Sequence, residues 1–157
     1  MVTNLGNFTL QLYPKKAPRS VANILKYVDD GYYTDIIFHR VIKNFMIQAG
    51  AVRNKLVPAK PKYPPVPNEA DNGLKNLRAS LAMARTSDPH SATAQFFINT
   101  KNNPQLDHRT KTAQGWGYTV FGKVISGMNV IRRIARQPTT SNNFPSKAII
   151  IKSISRI

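Results

Sequence analysis

The sequence of 157 residues contains no cysteine. This absence excludes disulfide bonds, a thiolate nucleophile and cysteine ligands for a metal. Acidic residues are scarce as well, because 7 aspartates and glutamates stand against 23 lysines and arginines, which gives a formal net charge of +16. From His90 onward the only acidic residue is Asp107. Such a charge attracts nucleic acids, anionic membrane surfaces and acidic proteins, although it says nothing about the fold.

Long apolar runs are also missing. The first part of the chain has no apolar segment of signal-peptide length, and no run reaches the roughly 18 apolar residues that a membrane-spanning helix needs. The sequence therefore predicts a protein without a membrane segment. We expect it in the cytoplasm, or in the periplasm if a leader preceded this chain. The length suits one domain, and we expect residues 1–157 to form it.

Hydrophobic periodicity predicts two helices. In the first, Pro18 suits the first helical position, Val21, Ile24, Leu25 and Val28 recur at helical spacing, and Gly31 supplies the end. The second runs from Gly127 to Arg136 and is broken by Pro138. Between positions 58 and 67 the prolines exclude a helix or a central strand. Alternating or short apolar runs predict seven or eight strands, chiefly at 7–13, 36–42, 45–48, 80–84, 95–99, 119–124 and 148–154.

The predicted hairpin from Phe38 to Gly50 places an arginine and a glutamine in an apolar run. Strict alternation puts Arg40 on the same face as Phe38, with Lys43 and Asn44 in the turn. Two interpretations of Arg40 remain open. It is either a surface arginine whose stem packs on apolar neighbours, or a fixed guanidinium beside Phe45 and Met46, held by Gln48 and aimed into an apolar pocket.

A similar mixture occurs between positions 95 and 99. Gln95, Phe97 and Asn99 share one face of the predicted strand, and Phe96 and Ile98 share the apolar face. Because its neighbours on that face are polar, Phe97 is not expected to be the deepest core residue. It either lines a half-exposed site beside Gln95 or covers the outside of the sheet.

Several motifs, taken together and in order, resemble the cyclophilin family of peptidyl-prolyl cis-trans isomerases. The motifs are FHRVI with FMIQ at 38–48, LAMAR at 81–85, SATAQFFI at 91–98 and VFGKV at 120–124. PHSATAQ at 89–95 and QGWGY at 114–118 are similar to the bacterial cytoplasmic-type subgroup. The resemblance implies a mostly β fold: an eight-stranded antiparallel β-barrel in a single domain, capped by two α-helices.

The resemblance also implies an activity and its residues. The activity is isomerisation of X-Pro bonds, without covalent chemistry, metal or cofactor. Arg40 matches the catalytic arginine of the family, and Gln48 matches the residue that orients it. Gln105 stands where relatives carry Trp or Phe, so cyclosporin-type ligands are expected to bind weakly. The substrate-binding positions implied are Phe45, Met46, Ala84, Arg85, Gln95, Phe97, Gln105, Leu106 and Tyr118.

The expected partners are proline-containing peptides and unfolded proteins, which suits a folding or chaperone role for a monomer without membrane contact. Nucleic acid is expected only through a nonspecific basic surface. Three other hypotheses stay open: a dedicated nucleic-acid module, a cyclophilin-shaped scaffold without useful catalysis, and hydrolytic or metal chemistry at His39, His90 and His108. The histidines are far apart in the sequence and carboxylates are few, which argues against the last.

Overall fold

The computed structural model describes residues 1–157, which form ten strands and two α-helices. Neither helix has the length and apolar character that crossing a membrane requires. In chain order the elements are β1 (Val2–Thr3), β2 (Gly6–Asn7), β3 (Thr9–Leu12), α1 (Pro18–Asp29), β4 (Ile36–Ile42), β5 (Met46–Arg53), β6 (Val57–Pro58), β7 (Ser80–Met83), β8 (Phe96–Asn99), β9 (Val120–Ser126), α2 (Met128–Ala135) and β10 (Ile151–Ser153).

The strands pair antiparallel throughout and surround one core. The larger sheet has the order β3-β9-β7-β8-β5-β4, with β6 on the edge of β5, and the smaller sheet has the order β10-β1-β2. The sheets meet where Ile37 of β4 bridges to Ile150, just before β10. They meet again at Phe8, which alone separates β2 from β3. The strands thus form the predicted barrel, although the sequence predicted seven or eight strands and some of the ten have only two or three residues.

Alternation along the central strands fills the barrel. Ile47 and Ala49 of β5, Leu81 and Met83 of β7, and Phe96 and Ile98 of β8 are all buried in a core cluster of 26 residues. Every second residue points outward instead, and some of these form a second, smaller apolar cluster on the outer face of the sheet: Met46, Ala82, Ala84, Phe97 and Val120. The outer cluster is the part of the fold that positions the candidate site.

Both predicted helices are present. Helix α1 buries Val21, Ile24 and Tyr27 against the barrel, and α2 buries Ile131 and Ile134 together with Val130. No side chain at Ala17 caps α1. Its first backbone N–H groups are met from a distant loop, because the Glu69 carboxylate accepts from the Arg19 and Ser20 N–H groups at 3.0 and 2.9 Å. The carboxylate also favours the positive end of the helix dipole.

Candidate functional site

A pocket of about 120 Å³ lies over the outer apolar cluster. Its walls come from β4, β5 and β8, from the turn between β4 and β5, from the two residues that follow β7, and from the connection between β8 and β9. No acidic side chain lines it. The lining residues are Arg40, Phe45, Met46, Gln48, Ala84, Arg85, Phe97, Leu106 and Tyr118.

A β-bulge directs Arg40 into this pocket. Phe38 pairs with Ala49 but Arg40 pairs with Gln48, so β4 carries one extra residue, His39, at this point. Phe38 consequently stays in the barrel core at 0% exposure, whereas Arg40 lies on the outer face. The prediction that Phe38 and Arg40 share a face was therefore wrong, because strict alternation assumes a strand without a bulge.

Three polar side chains form a chain of hydrogen bonds that begins at the edge of the pocket. The Arg40 guanidinium donates from Nη1 to Gln48 Oε1 at 3.4 Å, a long and weak hydrogen bond. Gln48 Nε2 in turn donates to Gln95 Oε1 at 3.0 Å. Gln95 thus stands behind Gln48 and does not line the pocket itself. The chain of contacts restrains the guanidinium while leaving most of its N–H groups free.

The pocket floor is apolar and well packed. Met46 and Phe97 are 2% and 4% exposed, and Phe45 and Leu106 pack partly buried against them. The Tyr118 ring meets the Phe97 ring edge to face, with centroids 5.7 Å apart. A five-membered aliphatic ring or another compact apolar group fits such a surface.

Arg85 and Gly117 close one end of the pocket. The Arg85 guanidinium lies over the Tyr118 ring at 4.5 Å and donates from Nε and Nη2 to the Gly117 carbonyl at 3.1 and 3.0 Å. Gly117 has a φ of 71°, and a Cβ there would lie 2.6 Å from the Leu106 carbonyl oxygen. Only glycine permits this close approach of the two parts of the connection between β8 and β9.

Behind the pocket lies a buried amide network that sequence reasoning missed. Asn99 is 0% exposed, and its Nδ2 donates to Asn76 Oδ1 at 3.0 Å while its Oδ1 accepts from Asn103 Nδ2 at 2.8 Å. Asn103 also donates to the Phe45 carbonyl at 2.9 Å, and Asn76 donates to the Leu106 carbonyl at 3.1 Å. The network therefore fixes two walls of the pocket. The polar face predicted for the strand at 95–99 was its only sequence signal.

Gln105, like Gln95, is a predicted site residue that lies outside the pocket. Gln105 is exposed on the short 3-10 helix from Pro104 to Leu106 and does not line the cavity, whereas Leu106 does. Ala49 is fully buried in β5 opposite Phe38. The strand accommodates its side chain in the core without a special backbone conformation.

The three histidines do not form a common site. The rings of His90 and His108 each lie with their centroid 5.1 Å from that of Trp116. His90 Nδ1 accepts a hydrogen bond from the Asn68 N–H, and His108 Nδ1 donates to the Trp116 carbonyl. His39 lies in the bulge, where burial first and the Arg40 charge second lower its pKa. No group of three or more histidine, aspartate or glutamate side chains is close enough to hold a metal ion.

A larger cavity of about 430 Å³ lies between α1, β3 and residues 154–157. Apolar side chains dominate its lining, and Asn7, Thr9, Ser155 and Arg156 are among the few polar members. The smaller pocket is the better candidate site, because polar donors and an apolar floor converge there.

Comparison with known proteins identifies the family to which the sequence is similar. Residues 1–156 match the family model described as cyclophilin type peptidyl-prolyl cis-trans isomerase/CLD. The chain is 47% identical to peptidyl-prolyl cis-trans isomerase cyp18 of Streptomyces antibioticus, covering 96% of this chain and 93% of that protein. It is 45% identical to peptidyl-prolyl cis-trans isomerase B of Escherichia coli K12, covering 97% and 94%.

A solved structure gives the same result for the fold. The chain superposes on a cyclophilin type peptidyl-prolyl cis-trans isomerase of Cryptosporidium parvum, determined in the presence of the dipeptide Ala-Pro, with a TM-score of 0.81. The two are 29% identical, over 98% of this chain and 94% of the other.

Proposed function

The chain belongs to the cyclophilin family and is a peptidyl-prolyl cis-trans isomerase, and we propose that Arg40 acts as the hydrogen-bond donor in its reaction. The substrates proposed are proline-containing peptides and unfolded proteins. The presence of Ala-Pro with a structural relative supports this class of ligand. The observation that carries the mechanism is the guanidinium of Arg40 at the edge of a pocket with an apolar floor and no carboxylate.

Isomerisation needs rotation about a bond, without breaking one. The barrier of about 18–20 kcal/mol arises because the nitrogen lone pair is delocalised into the carbonyl group. In the twisted transition state the lone pair is localised on the prolyl nitrogen, which then accepts a hydrogen bond better than it does in the planar amide. A donor aimed at that nitrogen therefore stabilises the transition state more than the ground state.

Arginine suits this role because it stays protonated and its donors have a rigid geometry. The floor formed by Phe45, Met46, Phe97 and Leu106 would hold the proline ring and exclude water, which strengthens the hydrogen bond. Gln48 is a positioning residue, since it contacts Arg40 at one end and Gln95 at the other. Gln95 and the backbone of Ala84 and Arg85 would bind the peptide backbone.

The test compares wild type with Arg40→Ala in NMR exchange spectroscopy of a short Ala-Pro peptide. Loss of one preorganised donor commonly lowers the catalytic rate by about 10²- to 10³-fold, and we expect the isomerisation rate of Arg40→Ala to fall by such a factor. Arg40 is exposed, so the urea midpoint should change little. The matched control is Arg19→Ala, because Arg19 is also exposed but lies on α1, outside the pocket. Turnover near the wild-type value in Arg40→Ala would refute the proposed role.

We also propose that cyclosporin-type ligands bind weakly, because exposed Gln105 adds no aromatic surface at the pocket rim. Gln105→Trp should tighten binding measured by calorimetry. A nanomolar dissociation constant for the wild type would contradict this proposal.

A further inference from the structure

The end of the barrel covered by α2 carries exposed cations without acidic neighbours in sequence. Arg132, Arg133 and Arg136 are all exposed on α2 or at its end, and residues 108–157 contain no aspartate or glutamate. The ion pairs of the protein lie elsewhere, since they join Lys62 to Asp30, Lys111 to Asp71 and Arg156 to Asp29. The charge of this end is therefore not neutralised within the molecule.

Two cations share one concavity there. A pocket of about 220 Å³ is lined by Lys43, from the turn between β4 and β5, and by Arg136, at the end of α2. Gln137 and Thr139 complete its polar lining, and no carboxylate belongs to it. The Val41 N–H donates to the Asn143 carbonyl at 2.9 Å, which joins the chain after α2 to β4. An anion bound in this concavity would be attracted by both cations.

The surroundings of the pocket favour phosphate over a folded protein surface. Residues 139–142, with the sequence Thr-Thr-Ser-Asn, are exposed and supply uncharged hydrogen-bond donors. Serine, threonine and asparagine side chains join arginine and lysine in binding nucleic-acid phosphates. None of the exposed large apolar side chains belongs to α2 or to residues 137–147. The face thus lacks the apolar anchors on which protein interfaces depend.

Along α2 the cations extend from the pocket. Arg132 and Arg136 are four residues apart and therefore lie on one side of the helix, about 6 Å from each other. Arg133 is tethered at the neighbouring edge, where its Nη1 donates to the Leu5 carbonyl at 2.6 Å. A row of cations that starts at a two-cation pocket suits a chain of regularly spaced phosphates better than a single anion.

We propose that the α2 basic face, defined as Lys43, Arg132, Arg133 and Arg136, binds the sugar-phosphate backbone of nucleic acid, with one phosphate seated between Lys43 and Arg136. This site is separate from the proline pocket, since these four residues do not line it. The binding is independent of base sequence, because it uses phosphates alone.

The experiment measures fluorescence anisotropy of a labelled 20-base-pair DNA duplex between 50 and 200 mM salt. The variant is Lys43→Gln/Arg132→Gln/Arg136→Gln, which leaves the tethered Arg133 in place. The control, Lys15→Gln/Lys16→Gln/Lys60→Gln, removes the same charge from exposed positions outside the face. We expect wild type to bind with a steep salt dependence. The magnitude of the slope of log K against log salt concentration should decrease by about 3 in the variant, because each cation that no longer neutralises a phosphate contributes about 1. In the control this slope should change little.

Three results would overturn the proposal. The first is no binding by wild type at 50 mM salt. The second is an equal fall in slope for both triple variants, which would assign binding to the overall charge and not to this face. The third is displacement of the duplex by polyglutamate at equal charge concentration, which would indicate an acidic polypeptide as the partner. Unchanged isomerisation of the Ala-Pro peptide by both variants verifies that they are folded.

Discussion

Replacing Asn99 with alanine tests whether the amide network behind the pocket supports both stability and activity. Asn99 lies at the centre of that network, because it joins Asn76, Ser80 and Asn103 by hydrogen bonds of 3.0, 2.8 and 2.8 Å. Asn99, Asn76 and Asn103 are 0%, 1% and 2% exposed, so solvent does not reach these groups in the native protein. The substitution therefore removes the bonds and leaves the partner groups buried.

The magnitude follows from the groups that the substitution leaves without a partner. One N–H of Asn103 and the Oδ1 of Asn76 no longer have a hydrogen bond to Asn99, whereas the Ser80 hydroxyl keeps its hydrogen bond to the Leu77 carbonyl at 2.6 Å. Each buried unsatisfied group costs about 1–3 kcal/mol. A water molecule entering the space of the missing amide would offset part of this cost. We expect the free energy of unfolding to fall by about 3 kcal/mol.

The same substitution should impair catalysis. Asn103 and Asn76 hold the carbonyls of Phe45 and Leu106, so their loosening displaces two walls of the proline pocket. A displacement of about 1 Å can cost up to about 10²-fold in rate, and we expect kcat/KM to fall by about tenfold or more. This decrease should be measurable in urea-free buffer, well below the unfolding transition.

The assays are urea unfolding followed by circular dichroism and isomerisation of the Ala-Pro peptide by NMR exchange. Asn142→Ala is the control, because Asn142 is exposed and should change stability by no more than about 0.5 kcal/mol. A decrease in stability below about 1 kcal/mol in Asn99→Ala, together with normal kcat/KM, would refute the view that the network holds the pocket.

Two further predictions concern stability. Because burial and Arg40 lower the pKa of His39 in the folded protein, the unfolded chain takes up its proton first as the pH falls below about 6.5. His39 should therefore destabilise the folded protein progressively below that pH. The urea midpoint of His39→Gln should fall less steeply than that of wild type between pH 7.5 and 5.5. Equal slopes of urea midpoint against pH for the two proteins would contradict this prediction. Glu69→Ala removes the carboxylate that caps α1 and should lower the free energy of unfolding, measured by thermal unfolding, by about 1–2 kcal/mol. The control Asp71→Ala removes an exposed ion pair and should lower the free energy of unfolding by less than about 1 kcal/mol. Equal effects of the two substitutions would show that the cap is not what Glu69 contributes.

Much of the fold could be predicted because hydrophobic periodicity reports directly on burial. Helix α1 begins at Pro18 as predicted, and α2 lies within the predicted range of 127–136. The hairpin of β4 and β5 turns at Lys43 and Asn44, also as predicted. The last strand is shorter than predicted: it runs from Ile151 to Ser153, and Ile150 makes only an isolated bridge. Three consecutive isoleucines show that a segment is apolar, but not where its strand pairing begins.

The site could be predicted in composition but not in geometry. The family resemblance selected nine residues that now line one pocket, and it also selected Gln95 and Gln105, which do not. Their roles stay predictions until the variants are measured. Local patterns could not reveal Asn76, because its partners Asn99 and Asn103 lie more than 20 positions away. Such long-range hydrogen bonds leave no periodicity in the sequence.

The bulge at His39 explains why a barrel with a packed interior can still present an arginine over an apolar pocket. An unbroken strand would keep Arg40 in phase with Phe38, which faces the core. A charge there would lie among apolar side chains without a partner, at a large cost in desolvation. The extra residue reverses the phase, so that Arg40 faces outward beside Gln48 while Val41 returns to the core. The proposed donor thus stands on a strand that pairs with β5 and that meets Ile150 through a bridge at Ile37, whereas Arg85, Leu106 and Tyr118 come from connections between strands. Substitutions in those connections are therefore expected to alter which peptides bind, and substitutions in the bulge to alter the rate of rotation itself.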